Sequence, residues 1–289
     1  MRAALGLASV GTAGAVGTGL LDYRSRSRHV DVRERQRLDD YEHPGAEDCA
    51  QSLEDEGIAI VPHALSAVQV AACLRMESHT DSYRYTTLQA HYVPGTGGRW
   101  HRRTFPPADS RALTSFEEAW EPTVCQYMGK GTKRSDLQLL VSEPGSKAQF
   151  FHQDNRRRSL TVVVPLVDVD VSMGPTQLLP GSHRCTAPTS QACTQGPVID
   201  CDLQAALPPG RDRSLRACIP AGYAMIYDSR VLHRGLGNQT RERPRPMLVY
   251  RYDTAADPAP GHGVVSTAWF RVVGKLACAA AELRAVLMT

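Results

Sequence analysis

No C-x-x-C pair occurs in this chain, although it carries eight cysteines among its 289 residues. Without thiols at that spacing, a zinc ribbon or a dithiol redox site is excluded. An even count does not establish disulfides in a chain of this size, because free cysteine also packs as a small apolar residue; reduced thiols are the expectation. A charge excess of one sign is absent as well: 33 Lys and Arg against 30 Asp and Glu leave a net +3. That balance supplies no basic field of the kind that marks a nucleic-acid partner, and none is expected. Internal repeats are missing too, and with them the stacked-repeat architectures.

Charge of either sign is missing from Ala3 to Leu21. The stretch is long enough to span a bilayer, but its five glycines and two threonines lower both hydrophobicity and helix stability. Poor in acids, rich in small residues and followed by Arg24, Arg26, Arg28, Arg33, Arg35 and Arg37, it equally fits a mitochondrial or plastid presequence. A leader with no address, on a cytoplasmic protein, is the third reading. Membrane contact is expected through residues 3–21 or not at all.

What is present is a composition, 42% hydrophobic, that fits one catalytic domain with appendages. The expected division is a leader and charged linker over 1–50, a catalytic domain over 51–260 and a C-terminal helix over 261–289. The fold is expected to begin near Gly57, where Ile58 to Val61 form an apolar strand stopped by Pro62. Ser66 then suits the N-cap of a helix through Val68, Val70, Ala71, Cys73 and Leu74. Residues Tyr83 to Pro107, aromatic and polar, read as a substrate lid or a surface insertion, and Thr114 to Met128 as a second helix. From Leu137 onward short strands alternate with Gly and Pro turns, at 137–141, 149–154, 160–167, 174–179, 222–228 and 246–252. That texture predicts a mainly β sandwich or barrel with flanking helices. Apolar spacing from Thr267 to Leu287 predicts a closing helix packed on it.

Chemistry concentrates at His152-Gln153-Asp154. In a strand, residues i and i+2 share a face, so His152 and Asp154 point together while Gln153 points away. Two imidazoles and one carboxylate make the facial triad that holds a non-haem Fe(II) with its other side open. An isolated H-x-D is more often explained by a structural histidine, so the second histidine matters. His233 follows the apolar run Gly222 to Tyr227 and a barrel can bring such strands face to face; His183, in Pro180-Gly181-Ser182-His183, is a rival. Imidazole must be neutral to bind, so occupancy is expected to fall as pH drops through about 6.5. Beyond His233 lie Arg241, Arg243 and Arg245, the last leading into the strand Met247 to Tyr250. An inward guanidinium there would grip a carboxylate through two parallel hydrogen bonds, whereas arginines on a solvated turn would not.

In several short stretches the sequence resembles the phytanoyl-CoA dioxygenase family of Fe(II)- and 2-oxoglutarate-dependent oxygenases. The matching residues are Gly57-Ile58-Ala59-Ile60-Val61-Pro62, the run from Glu143 through Asp154, Met173-Gly174-Pro175-Thr176, and Leu179-Pro180-Gly181-Ser182-His183. Leu232-His233-Arg234-Gly235, Asn238 and Arg243-Pro244-Arg245 complete the series, over roughly residues 55–255. The resemblance implies a double-stranded β-helix, a jelly-roll of the cupin type. It implies Fe(II) on His152, Asp154 and His233, and 2-oxoglutarate on Arg243 or Arg245, of which Arg245 leads directly into the strand. Gln149 matches a polar position and is a candidate contact to the cosubstrate, while His183 belongs to a turn. O2 is the implied oxidant, with ascorbate a candidate reductant, and the implied reaction hydroxylates a C–H bond as 2-oxoglutarate gives succinate and CO2.

Two departures stand out: Met173 occupies a position where the family usually has Asn, and the turn after His233 is one residue longer than its commonest form. In related halogenases a small residue replaces the carboxylate ligand, so Asp154 implies hydroxylation. The substrate stays open between an acyl-CoA, a lipid and another small molecule. Arg99, Arg102, Arg103 and Arg156 to Arg158 read as an anion site or as solvated loops. A zinc hydrolase or isomerase on the same three residues, and an inactive β-barrel binding module, are the alternatives.

Overall fold

A computed structural model of the chain describes residues 38–78, 98–102, 107–149, 151–155, 157–184, 198–199 and 214–253. The expected leader, residues 83–97 of the expected lid and the expected C-terminal helix lie outside these residues. Among them, no helix is long and apolar enough to cross a membrane.

Eleven strands are described: β1 (Ile58–Val61), β2 (Arg99–Arg102), β3 (Asp136–Ser142), β4 (His152–Gln153), β5 (Leu160–Pro165), β6 (Thr176–Leu178), β7 (Val198–Ile199), β8 (Leu215–Arg216), β9 (Ala224–Asp228), β10 (His233–Gly235) and β11 (Arg245–Tyr252). They form a larger sheet in the order β1-β9-β5-β11-β3-β2 and a smaller one in the order β7-β4-β10-β6-β8. Neighbours pair antiparallel throughout, and the architecture is the mainly β double-stranded β-helix that the strand texture and the resemblance implied.

The larger sheet is apolar on both faces, and strand parity assigns each residue its side. Along β11, Met247 and Val249 turn inward with Met225, Val163, Leu178 and Leu215 to form the core between the sheets. Leu248, Tyr250 and Tyr252 turn outward to the helices. There Trp120 stacks edge-on against Tyr250 at 4.9 Å and donates through Nε1 to the Tyr252 hydroxyl at 2.8 Å, so the indole N–H is satisfied although its ring is fully buried.

Four helices among the described residues flank this outer face: α1 (Ala46–Asp55), α2 (Ala67–Ser78), α3 (Pro107–Ser115) and α4 (Glu121–Met128). α2 begins where expected, with a reciprocal cap: Ser66 Oγ accepts from Gln69 N at 3.3 Å and Gln69 Oε1 accepts from Ser66 N at 2.8 Å. The expected single helix over 114–128 is instead α3, a 3-10 turn over Phe116–Ala119 and α4, because Pro122 lacks the N–H that a continuous helix needs and starts a new one.

Packing also starts earlier than Gly57. Tyr41 is buried, and α1 inserts Cys49 and Leu53 into the outer core, so part of the expected linker is structured. Within the expected lid, residues 99–102 pair with β3 as an edge strand. Of the described cysteines, Cys49 and Cys125 are free thiols.

Candidate metal centre

His152 and His233 arrive on adjacent strands of the smaller sheet, where they are direct Cα partners. They therefore stand side by side, not face to face across the barrel, with ring centroids 4.4 Å apart. The expected strand over 149–154 shortens to β4, because beyond Gln153 the chain leaves its ladder. Asp154 N and Asn155 N both donate to Ser229 O, at 2.8 and 3.1 Å. The turn still swings the Asp154 carboxylate to 3.7 Å from the Nε2 of each histidine. One ligand atom from each of the three residues lies within 4.8 Å of the others, a grouping that can hold a metal ion. Gln153 points away and donates to Arg230 O.

The protonation of this group suits a cation. His233 Nδ1 lies 2.9 Å from Val231 O, so it carries the ring proton and Nε2 keeps a lone pair. Burial pushes the His233 pKa down to about 4 against the pull of Asp154, which favours neutral imidazole. Burial acts to raise the Asp154 carboxyl, yet Arg251, then the two imidazoles and the Thr161 hydroxyl, hold it well below the usual carboxylate range. Sequence reasoning missed Arg251, Thr161 and Tyr227. Parity along β11 puts Arg251 on the same face as Arg245, but the pairing that brings it to Asp154 is invisible without the register.

A polar row crosses the larger sheet. Ser142 is the Cα partner of Arg99 on β2 and of Arg245 on β11. Arg99 Nη1 and Arg245 Nη2 both donate to Ser142 Oγ, at 2.8 and 3.1 Å, which takes both lone pairs of that hydroxyl. Arg99 also donates to Lys147 O at 3.3 Å and to Leu236 O. Arg245 is 0% exposed, and its Nε and Nη1 have no hydrogen-bond partner among the described residues. Burial, then the neighbouring Arg99, lowers its pKa to about 9. Arg243 differs sharply: its side chain is 58% exposed and paired with Asp170 at 2.9 Å.

The other sequence candidates have internal partners. Gln149 Oε1 accepts from Gly235 N at 2.8 Å, and Gln149 N donates to Gly235 O at the same distance, tying the approach to β4 onto β10. His183 lies outside the triad, buried, with Nε2 3.2 Å from Glu54 O. Met173 is buried in its turn, and the glycine after it has no substitute: Gly174 sits at φ +70°, and a Cβ there would fall 2.3 Å from Gly237 O. Of the arginines weighed as an anion site, Arg99 is buried as above and Arg158 pairs with Glu54 and stacks on Tyr127 at 3.8 Å. Arg102 is described in its backbone alone, and Arg103 and Arg156 lie outside the described residues.

A double-stranded β-helix that holds a His, Asp and His cluster, together with a buried guanidinium only partly bonded among the described residues, is the architecture of a metal-binding oxygenase. The chain belongs to the phytanoyl-CoA dioxygenase family, whose pattern matches residues 24–247. It is 29% identical over 165 residues to the dioxygenase cdmD of Talaromyces verruculosus, a match that covers 50% of this chain and spans about half, 48%, of that protein. Its fold is similar to that of the epimerase SnoN, solved with Fe3+, alpha ketoglutarate and nogalamycin RO: TM-score 0.61, 21% identity, 76% of this chain and 88% of that one. The carbocyclase SnoK from nogalamycin biosynthesis superposes with a TM-score of 0.60 at 18% identity, over 77% of this chain and 92% of that one. HygX from Streptomyces hygroscopicus, solved with nickel and 2-oxoglutarate, gives 0.51 at 13% identity, over 70% and 85%.

Proposed function

We propose that this protein is an Fe(II)- and 2-oxoglutarate-dependent dioxygenase that hydroxylates an unactivated C–H bond of a small molecule. The observation that carries this is Arg245, a fully buried cation whose Nε and Nη1 have no partner among the described residues, inside a barrel that also holds the His152, Asp154 and His233 cluster. Leaving such donors unpaired costs about 1–3 kcal/mol each, more for a charged group, so the site is built for an anion. A carboxylate fits: it accepts two parallel N–H bonds from one guanidinium.

When bound, Fe(II) with 2-oxoglutarate supplies O2-dependent decarboxylation of the keto acid to succinate and CO2, coupled to oxidation of the substrate. The protein's own part is to hold and orient. His152, Asp154 and His233 would bind the metal on one side, Arg245 would grip the distal carboxylate of the keto acid, and Gln149 would brace the Gly235 backbone between them. The apolar residues Val163, Met225 and Met247 around Arg245 keep water from competing for that ion pair. A zinc hydrolase has no use for the buried guanidinium.

The test is succinate release from 2-oxoglutarate by the full chain with Fe(II) and O2, screened against acyl-CoAs and neutral small molecules. Succinate release that needs iron and rises with one substrate class is the expected result. Turnover with zinc and none with iron overturns the proposal in favour of a hydrolase.

A further inference from the structure

Thr161 is the Cα partner of Arg251 on one side and of Tyr227 on the other, so Arg251, Thr161 and Tyr227 form one row across β11, β5 and β9. All three are buried and turn inward, and all three reach the same atom. Thr161 Oγ1 donates to Asp154 Oδ2 at 3.0 Å, the Tyr227 hydroxyl at 3.2 Å, and Arg251 Nη1 lies 3.3 Å away. Each carboxylate oxygen stands 3.7 Å from one histidine, Oδ1 from His152 Nε2 and Oδ2 from His233 Nε2, but among the described residues no donor of this kind engages Oδ1. Arg251 is itself fixed, through Asp253 at 3.7 Å and by donating to Asp154 O at 3.3 Å.

Counting protons sharpens the asymmetry. Thr161 has one hydroxyl proton and gives it to Oδ2, so Ser229 Oγ, 3.1 Å away, must donate to Thr161. The Tyr227 hydroxyl lies 3.3 Å from His233 Nε2 as well as near Oδ2. A cation on Nε2 occupies that lone pair and leaves Oδ2 as the phenol's acceptor. A phenol keeps its proton at neutral pH, so the Tyr227 hydroxyl is a donor to that oxygen.

We propose that Arg251, Thr161 and Tyr227 are positioning residues that hold Asp154 by Oδ2 and leave Oδ1 as the one carboxylate oxygen presented to the metal. The proposal rests on the metal assignment of His152, Asp154 and His233, and adds to it how the carboxylate is aimed. Three donors on one oxygen fix the carboxylate plane, and a fixed monodentate ligand keeps more of the metal's coordination positions open than a bidentate one.

The experiment measures Mn(II) affinity by calorimetry, and the visible spectrum of the Co(II)-loaded full chain, for the wild type and four variants. Arg251→Met is expected to weaken Mn(II) binding by about 10- to 100-fold and Tyr227→Phe by about threefold or more, each shifting the Co(II) bands as the carboxylate loosens. Tyr227→Phe changes a single atom and keeps the packing, so it carries the test if Arg251→Met does not fold. Asp154→Gly is expected to lose Mn(II) binding and to regain it with added formate, seated by the same three donors, whereas Asp154→Gly/Arg251→Met is not rescued. Mn(II) affinity within twofold of wild type and unshifted Co(II) bands in the folded single variants overturn the positioning role, as does equal formate rescue with and without Arg251. Unchanged Mn(II) binding in Asp154→Gly instead overturns the metal assignment beneath it.

Discussion

His152 and His233 are Cα partners across β4 and β10, one residue from each strand, their rings 4.4 Å apart. Because side chains alternate with period two, that register alone decides whether both imidazoles share a face. His183 is no rival: it sits on the turn after β6, which touches the chain entering β10 where Ser182 Oγ accepts from Leu232 N at 2.8 Å, and it lies outside the cluster.

Loss of any one of the three grouped residues should therefore be felt by the metal, and loss of His183 should not. His152→Ala, Asp154→Ala and His233→Ala are each expected to weaken Mn(II) binding by more than about 100-fold, beyond the 10- to 100-fold seen for outer partners of a metal site. His183→Gln should bind Mn(II) as the wild type does. Calorimetric titration of each variant checks both halves.

The two candidate arginines separate on burial. Arg245→Ala is expected to weaken 2-oxoglutarate binding by about 3–5 kcal/mol, the cost of leaving a buried carboxylate without its cation. Arg243→Ala, which breaks only a surface pair with Asp170, should change it by less than about 1 kcal/mol. Titration of 2-oxoglutarate into the metal-loaded protein distinguishes them, and equal losses would remove Arg245 from the cosubstrate.

Local patterns in the sequence were enough to find most of the larger sheet and the residues of the His, Asp and His cluster. Ile58 to Val61, Leu160 to Pro165 and the run into Tyr252 announce themselves by apolar content, and His152, Asp154, His233 and Arg245 by residue type and spacing. The rows were not legible. Arg99 reads as part of a basic loop and Tyr227 as one more strand aromatic until β2-β3-β11 and β11-β5-β9 are paired, because the pairing joins row partners 43 to 103 positions apart. The early start of the fold was hidden for a different reason. α1 is acidic on its exposed side, with Glu47, Asp48, Glu54 and Asp55, and buries only Cys49, Ala50 and Leu53, so its sequence looks like a linker.

Gly235 shows how tightly the two rows' neighbours are packed. A Cβ there would lie 2.6 Å from Arg99 Nη1 and 2.8 Å from Gln149 Oε1, and neither can retreat without leaving a buried partner. Gly235→Ala is expected to destabilise the fold by about 1–3 kcal/mol, the usual cost of overpacking a filled site. It should also weaken 2-oxoglutarate binding, since Arg99 and Arg245 share Ser142. Thermal unfolding and cosubstrate titration of the one variant measure the two effects separately.

The turn histidine supplies a pH dependence whose sign can be worked out. Burial lowers the His183 pKa, against the Glu54 carbonyl and Asp228, which act to raise it, and with Arg230 and Arg184, which lower it further. The unfolded chain then takes up a proton near pH 6.5 before the folded protein does, so the unfolded state binds more protons and stability rises with pH across that window. In other words, the contribution of neutral His183 is intact above about pH 6.5 and is lost as pH falls towards the folded pKa, with a slope of at most about 1.4 kcal/mol per pH unit for one group. His183→Gln keeps a donor for Glu54 O but cannot titrate, so its melting temperature should fall less than that of the wild type between pH 6.5 and pH 5 and run parallel to it above pH 7. Parallel curves throughout would mean that His183 keeps an ordinary pKa in the folded protein, and that its ring packs on Gly57 at no electrostatic cost.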